Sequence, residues 1–283
     1  MPTPTTPVAE SGNLSTDRHG VGQRLFRGAA VAALVFELAF IAVVLVALVV
    51  FVDVTSFTRC LTSPEIIYSI RLTIISVTIS TGLCMLLAIP AAYALSSYRG
   101  RLATVIDTLL DLPIVVPPVA AGLALLILFG YYLGDAMEAR GVFLPHTRPG
   151  IVVAQFFATM TYSVRSVKAA LDSISPRLPA VARTLGSNQW RAFRRVTLPL
   201  ARNGILAGAV LSWSRCLGLF GPVIMFCGAT RFRTEILPTS IYLNTSVGQI
   251  EEAVAGTLIL LILATVTLFI FKRLGAPGLL FWS

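Results

Sequence analysis

Runs of about 20 apolar residues recur along this chain, each long enough as a helix to cross a hydrocarbon core about 30 Å thick. They extend from about Gly28 to Val52, Tyr68 to Leu95, Leu109 to Leu133, Ile151 to Ala170, Gly204 to Cys227 and Ala253 to Phe271. In lipid a backbone must satisfy its own polar groups, which leaves helices and closed barrels. Barrel strands alternate apolar and polar residues, whereas these runs are apolar on every face. The expected fold class is therefore all-α: a polytopic transmembrane helical bundle of six spans. Composition agrees, with 56% hydrophobic residues and only 12% charged. That balance excludes a soluble enzyme, a nucleic-acid reader and a disordered chain, since globular proteins carry about 25% charge.

Residues 1–24 are rich in Thr, Pro and Ser and are expected to be a disordered cytoplasmic tail. The first run is too long for a signal-peptide core and no small-residue cleavage site follows it, so it is expected to be retained as a span. Residues 25–283 then form the transmembrane domain, interrupted by a cytoplasmic segment at about 171–203. With six spans both termini share a side. Placing them in the cytoplasm puts 14 of the 22 basic residues inside and six outside, with Arg165 and Arg215 left within spans. The net charge of +9 is thus chiefly an orientation signal, not a mark of nucleic-acid binding.

The connection at 173–204, SISPRLPAVARTLGSNQWRAFRRVTLPLARNG, is long for a link between spans. Ser175-Pro176 can start a short helix, with serine at the cap and proline at the first helical position. Gly186 can close that helix in the left-handed conformation. Ser187 or Asn188 can cap a second helix with Trp190, Phe193 and Val196 on one side and Arg191, Arg194 and Arg195 largely on another. Leu198-Pro199 is expected to end it. On pattern alone this hairpin either lies on the anionic inner leaflet or docks a cytoplasmic partner.

Gly186, nine residues, Val196, any residue, Leu198 and Pro199 resemble the cytoplasmic Glu-Ala-Ala motif of ABC importer permeases. Ala180, Val181 and Ala182 stand where Glu-Ala-Ala is usual, so the salt bridge to the ATPase that the family's Glu implies is not expected here, while the helix, Gly and Leu-Pro frame remains. The segment at 109–130, LLDLPIVVPPVAAGLALLILFG, resembles the third span of molybdate, tungstate and sulfate permeases. SRCLGLFGPVIMFCGATR at 214–231 is similar to their fifth, with Arg215, Gly218, Phe220 and Gly221 matching and Leu219 where many members have Glu. The resemblance implies a type I, binding-protein-dependent permease subunit in the inner membrane, importing a tetrahedral oxyanion, molybdate or tungstate ahead of sulfate. It also implies three partners: a cytoplasmic ATP-binding subunit, an extracytoplasmic solute-binding protein, and a second permease copy or a related permease. In the family, residues at about 180–190 form the coupling helix, so Ala180, Val181, Ala182, Arg183, Gly186, Val196, Leu198 and Pro199 are the expected contacts or frame.

No P-loop occurs, since neither Lys168 nor Lys272 follows a glycine, so ATP is expected on a partner and no cofactor on this chain. Nothing has the spacing of a metal site or a catalytic constellation, and Cys60, Cys84, Cys216 and Cys227 are expected to be buried hydrophobes. Polar groups inside spans are costly and usually functional. Arg215 either faces the pathway and favours an anion, or pairs with Glu37 of the first span or snorkels. Arg165 and Arg71 are expected to snorkel. Pro113, Pro117 and Pro118 should kink the third span, and Gly218, Gly221 and Pro222 the fifth, beside Phe220. Pro117 and Pro118 with Gly218, Phe220 and Gly221 are thus gate candidates. The alternative class is a self-contained secondary transporter or channel, against which stands the lack of an internal repeat or of a proton or sodium site.

Overall fold

The computed structural model describes residues 16–97 and 100–275. Most of the expected tail lies outside the described residues. The first helix, α1 (Thr16–Phe51), begins upstream of the expected boundary at 24. It belongs to a unit of its own, residues 1–51, and its stretch Phe26–Phe51 is long and apolar enough to cross a membrane.

The second unit, residues 52–283, is helical throughout its described elements. A short α2 (Val54–Thr62) precedes α3 (Pro64–Ser97), a long span. The third expected span is two pieces: α4 (Arg101–Val115), then α5 (Pro118–Leu126) running on through a π turn at Ile127–Tyr132. After α6 (Gly134–Glu138) comes α7 (Arg148–Asp172). The connection holds α8 (Arg177–Thr184), α9 (Gln189–Ala192) and a second π turn at Phe193–Thr197, which leads into α10 (Leu198–Leu217). Then follow α11 (Gly221–Cys227), α12 (Leu237–Ser246) and α13 (Ile250–Gly275).

Of the six expected spans, α1, α3 and α13 pass as single helices long and apolar enough to cross, and the third and fifth pass only as bent pairs. The remaining one, α7, is less apolar because it buries polar side chains (Gln155, Thr159, Thr161 and Ser163) inside the protein. It starts with Thr147 accepting from the Gly150 amide at 3.3 Å and Pro149 in the first turn, a favourable helix entry.

The third expected span does not run straight from Leu109 to Leu133. The chain turns by 103° between α4 and α5. Val116 is extended at φ −64°, ψ 127°, as a residue before proline must be, and Pro118 opens the new helix at a position needing no amide donor. The spanning piece therefore starts at Pro118, with α4 set across it. The fifth bends by 58° between α10 and α11, where Gly218 ends the first helix.

Packing centres on α3, α7 and α10. One apolar cluster gathers Leu72, Leu125, Ile151, Val223 and Phe226; another gathers Ala88, Ala92, Val164, Val167, Phe193 and Ala201. Between them lies a polar layer. Thr159 Oγ1 donates to the Gln155 carbonyl at 2.7 Å and meets Cys84 Sγ at 3.4 Å and Cys216 Sγ at 3.3 Å. Ser163 and Ser212 share a hydrogen bond of 2.7 Å. Small residues allow this approach, because a Cβ on Gly208 would lie 2.7 Å from Ser166 Oγ. All four cysteines are buried and free, as expected.

Candidate functional site

Two regions carry the expected residues: the hairpin between α7 and α10, and the paired breaks in the third and fifth spans.

In the hairpin, α8 ends in a Schellman turn. The Ser187 amide donates to the Ala182 carbonyl at 3.0 Å and the Gly186 amide to the Arg183 carbonyl at 3.1 Å. This geometry needs a left-handed residue, and Gly186 supplies it at φ +87°. Asn188 then caps α9, its Oδ1 accepting from the Arg191 amide at 2.8 Å. At the other end, Pro176 precedes α8 with no side-chain cap, so Ser175 does not play the expected capping role; only its carbonyl is used, by the Leu178 amide.

Leu198-Pro199 does not stop the second helix. The π turn at 193–197 widens the backbone so that the Leu198 amide reaches the Phe193 carbonyl, and Pro199 falls in the first turn of α10. The extra residue in that turn gives the pyrrolidine ring room that a regular helix lacks. Helix and span are consequently continuous.

Phe193 seats the hairpin. It is buried in the cluster with Val164 and Ala201, lies 4.5 Å from the Tyr93 ring, and is flanked by a Gln189 amide donating to Tyr93 Oη at 3.0 Å. Val196 and Leu198 are half-buried beside it, and Trp190, on the expected side, has its ring centre 6.0 Å from that of Phe193 while remaining 66% exposed. On α8, Leu178, Val181 and Leu185 are all exposed, Leu185 by 81%, and their spacing of three and four residues puts them on one face. Ala180 and Arg183 line a cleft of about 520 Å³ between the hairpin and the ends of α3 and α7. Ala182 is half-buried, Gly186 and Pro199 exposed.

The two breaks, far apart in sequence, meet in space. A Cβ on Gly221 would lie 2.8 Å from Pro118 Cβ, and one on Gly122 would lie 2.7 Å from both Met225 Cβ and the Pro222 carbonyl oxygen. Helices α5 and α11 thus cross with their backbones in contact, and glycine is required on both sides. Pro117 is the last residue before α5, and Gly218 the first after α10. Phe220 is half-buried, its ring 4.9 Å from Tyr242 of α12. The amide of Leu237, at the start of α12, donates to Thr73 Oγ1 of α3 at 2.8 Å, which fixes the helix carrying Tyr242.

Arg215 is exposed in the last turn of α10, with its guanidinium carbon 4.8 Å from the centre of the Tyr162 ring of α7. Arg165 is not the expected snorkelling residue. Its Nη1 lies 2.9 Å from Asp107 Oδ1, its Nη2 2.5 Å from Asp111 Oδ2, and its Nε donates to Asp111 Oδ1 at 2.9 Å. Thr161 adds a hydrogen bond of 2.6 Å to the Leu110 carbonyl. This clamp ties α4 to α7, the helix that leads into the hairpin. The pair Asp107 and Asp111, four residues apart and so on one helical face, was a usable signal in the sequence.

Outside the spans, Glu235 is 3% exposed and lines a cavity of about 180 Å³ with Arg59, Glu65, Arg231 and Glu252. Burial pushes its carboxyl above the usual range, against the opposing effects of Ser240 and Arg231. Among the described residues no group of three or more His, Cys, Asp or Glu side chains could hold a metal ion.

The family model described as "Binding-protein-dependent transport system inner membrane component" matches residues 84–279. The molybdenum transport system permease protein ModB of Mycobacterium tuberculosis is 37% identical over 227 residues, 80% of this chain and 86% of that protein. The sulfate transport system permease protein CysT of Escherichia coli is 31% identical over 215 residues, 75% of this chain and 76% of its own length. In fold the chain is similar to a crystal structure of a bacterial alginate ABC transporter in complex with an alginate pentasaccharide-bound periplasmic protein. There the TM-score is 0.74 at 18% identity, over 90% of this chain and 95% of that one.

Proposed function

We propose, for a chain that belongs to the family of binding-protein-dependent transport system inner membrane components, that it is the pathway-forming permease of an ATP-driven oxyanion importer. The observation that carries this is the hairpin: Phe193 roots it in the inner core while Leu178, Val181 and Leu185 stand exposed on the far side. An apolar face on a rigid, capped peg suits insertion into a groove of a cytoplasmic ATPase subunit. ATP belongs to that subunit, and this chain takes no cofactor and performs no covalent chemistry. The hairpin lies in the cytoplasm, as do both termini, by the distribution of basic residues.

The substrate is a tetrahedral oxyanion, molybdate or tungstate ahead of sulfate. The support is likeness to molybdenum and sulfate permeases at 37% and 31% identity. Arg215 adds chemical support: held over Tyr162, its guanidinium supplies positive charge beside the break in the fifth span. Two copies, or this chain with a related permease, enclose the pathway, and a binding protein delivers the anion outside. The crossing of Pro118 with Gly221 and the contact of Phe220 with Tyr242 form the gate. The clamp of Arg165 with Asp107 and Asp111 passes hairpin motion from α7 to α4, and thence to Pro117 and Pro118. The self-contained transporter is not favoured.

Copurification tests the docking. Leu185→Asp should abolish capture of the ATPase subunit while leaving the melting temperature of the chain unchanged, because Leu185 is exposed. Full capture by that variant would remove the hairpin from the coupling route.

A further inference from the structure

The cavity that Glu235 lines has no part in the docking hairpin or the gate as described. It lies where α2, α3, α12 and α13 meet and holds about 180 Å³. Its side of the membrane follows from α3. Glu65, on the cavity, and Tyr93, against the hairpin, lie near opposite ends of that 34-residue helix. At 1.5 Å per residue their separation is about 40 Å, more than a hydrocarbon core of about 30 Å. The cavity therefore belongs to the face opposite the hairpin, the outer one.

Burial divides its lining into a mouth and a floor. Arg59, Arg231 and Gln249 are exposed, whereas Glu235, Ser240 and Asn244 are buried. Arg231 is already neutralised by Glu65 at 3.2 Å. Arg59, Glu235 and Glu252 take part in no such pair among the described residues, so two carboxyls face one free guanidinium. Glu235 is 3% exposed, and its Oε2 is buried with no hydrogen-bond partner among the described residues. A carboxyl left in that state costs stability unless a donor reaches it. The floor thus suits a donor that enters from outside and carries positive charge.

A metal ion does not fit, because no three acidic side chains among the described residues come together closely enough to hold one. A guanidinium or ammonium group does fit, since its several donors can be shared among acceptors on separate side chains. On the outer face of a binding-protein-dependent permease, the carrier of such a group is the solute-binding protein.

We propose that a lysine or arginine side chain of the external solute-binding protein inserts into this cavity and is held by Glu235, Glu252 and the Asn244 carboxamide. This rests on the reading of the chain as a binding-protein-dependent permease and supplies the contact that recognises its outer partner. The same contact bears on the gate, because α12 carries Ser240 and Asn244 on the cavity and Tyr242 against Phe220.

Binding of the outer partner tests it. The chain with its ATPase subunit, in nanodiscs, is titrated with the molybdate-loaded binding protein, and association and dissociation are followed by biolayer interferometry. Glu235→Gln keeps the shape of the side chain and should weaken binding about 30-fold or more, mostly through faster dissociation. Glu138→Gln, which removes an exposed carboxylate outside the cavity, should weaken it less than about 5-fold. Burial already pushes the Glu235 carboxyl upward, with Arg59 of α2, Glu65 of α3, Arg231 and Glu252 of α13 as the other charged groups around the cavity. Affinity of the unaltered complex should therefore rise with pH as that carboxyl ionises, and affinity of Glu235→Gln should lack this rise. Equal affinity with and without the Glu235 carboxyl would overturn the contact while leaving the importer reading intact. Equal losses in the two variants would overturn it too, reducing the effect to net charge. No binding by the unaltered complex would remove both the contact and the importer reading. A melting temperature raised by spermidine in the absence of the binding protein, and not raised in Glu235→Gln, with binding-protein affinity unchanged, would assign the cavity to a free amine instead.

Discussion

Replacing Arg165 by Gln removes the positive member of a clamp with two carboxylates. The side chains are 36% exposed for Arg165, 34% for Asp107 and 40% for Asp111. Breaking a fully buried pair costs about 3–5 kcal/mol, whereas exposed pairs contribute about 1 kcal/mol or less. Exposure of about a third places this clamp between those limits, and solvent screening discounts it to about 2 kcal/mol. Asp107 and Asp111, left unpaired on one face of α4, add a few tenths of a kcal/mol of repulsion. In a chain of this size 1 kcal/mol moves the melting temperature by about 2–4 °C, so Arg165→Gln should lower it by about 4–8 °C. Thermal unfolding in detergent, followed by tryptophan fluorescence, reads this directly. Adding Asp107→Asn and Asp111→Asn should recover most of the loss, because no uncompensated charge then remains. An unchanged melting temperature in Arg165→Gln would show that the clamp neither ties α4 to α7 nor passes motion between them.

Gly122→Ala drives a Cβ into the Pro222 carbonyl and Met225, which should cost about 1–3 kcal/mol and depress uptake, checked by unfolding and transport of the same preparation. Gly186→Ala forces alanine to φ +87°, at about 1–2 kcal/mol, and should weaken ATPase-subunit capture in a pull-down while α10 and the spans stay intact. Glu235 gives a pH signature. Burial holds its carboxyl above the ordinary value of 4.5, so the folded chain binds the proton more tightly than the unfolded one. Its contribution is then fully present below pH 4.5 and lost as pH rises through the higher folded value. Glu235→Gln should flatten this part of the stability profile and raise the melting temperature at neutral pH; an identical profile in the variant would show Glu235 ionised at no cost.

Short-range rules made much of the hairpin legible before any coordinates. Gly186 needs a left-handed turn, Asn188 can cap, and both do so within four residues of chain. Pro117 and Pro118 likewise announced a break locally, although a proline pair gives no angle and the 103° turn depends on where α4 packs; Pro113, expected to kink the span with them, lies inside α4. Leu198-Pro199 misled for a physical reason: proline removes one donor, and a single wide turn can absorb that loss without ending the helix. Trp190 was expected beside Phe193 by periodicity and lies there, with ring centres 6.0 Å apart, although most of the indole stays exposed. Arg165 and Asp111 are 54 residues apart, and no local pattern joins them. The meeting of Pro118 with Gly221 is of the same kind: each break was visible alone, and their contact follows only from how α5 crosses α11.

Uptake of labelled molybdate into proteoliposomes holding this chain, the ATPase subunit and an external binding protein is the most direct measurement of a pathway driven through the hairpin. Accumulation should require ATP on the ATPase side, vanish without that subunit, and be outcompeted by tungstate more readily than by sulfate. Accumulation by the chain alone under a proton or sodium gradient would contradict it.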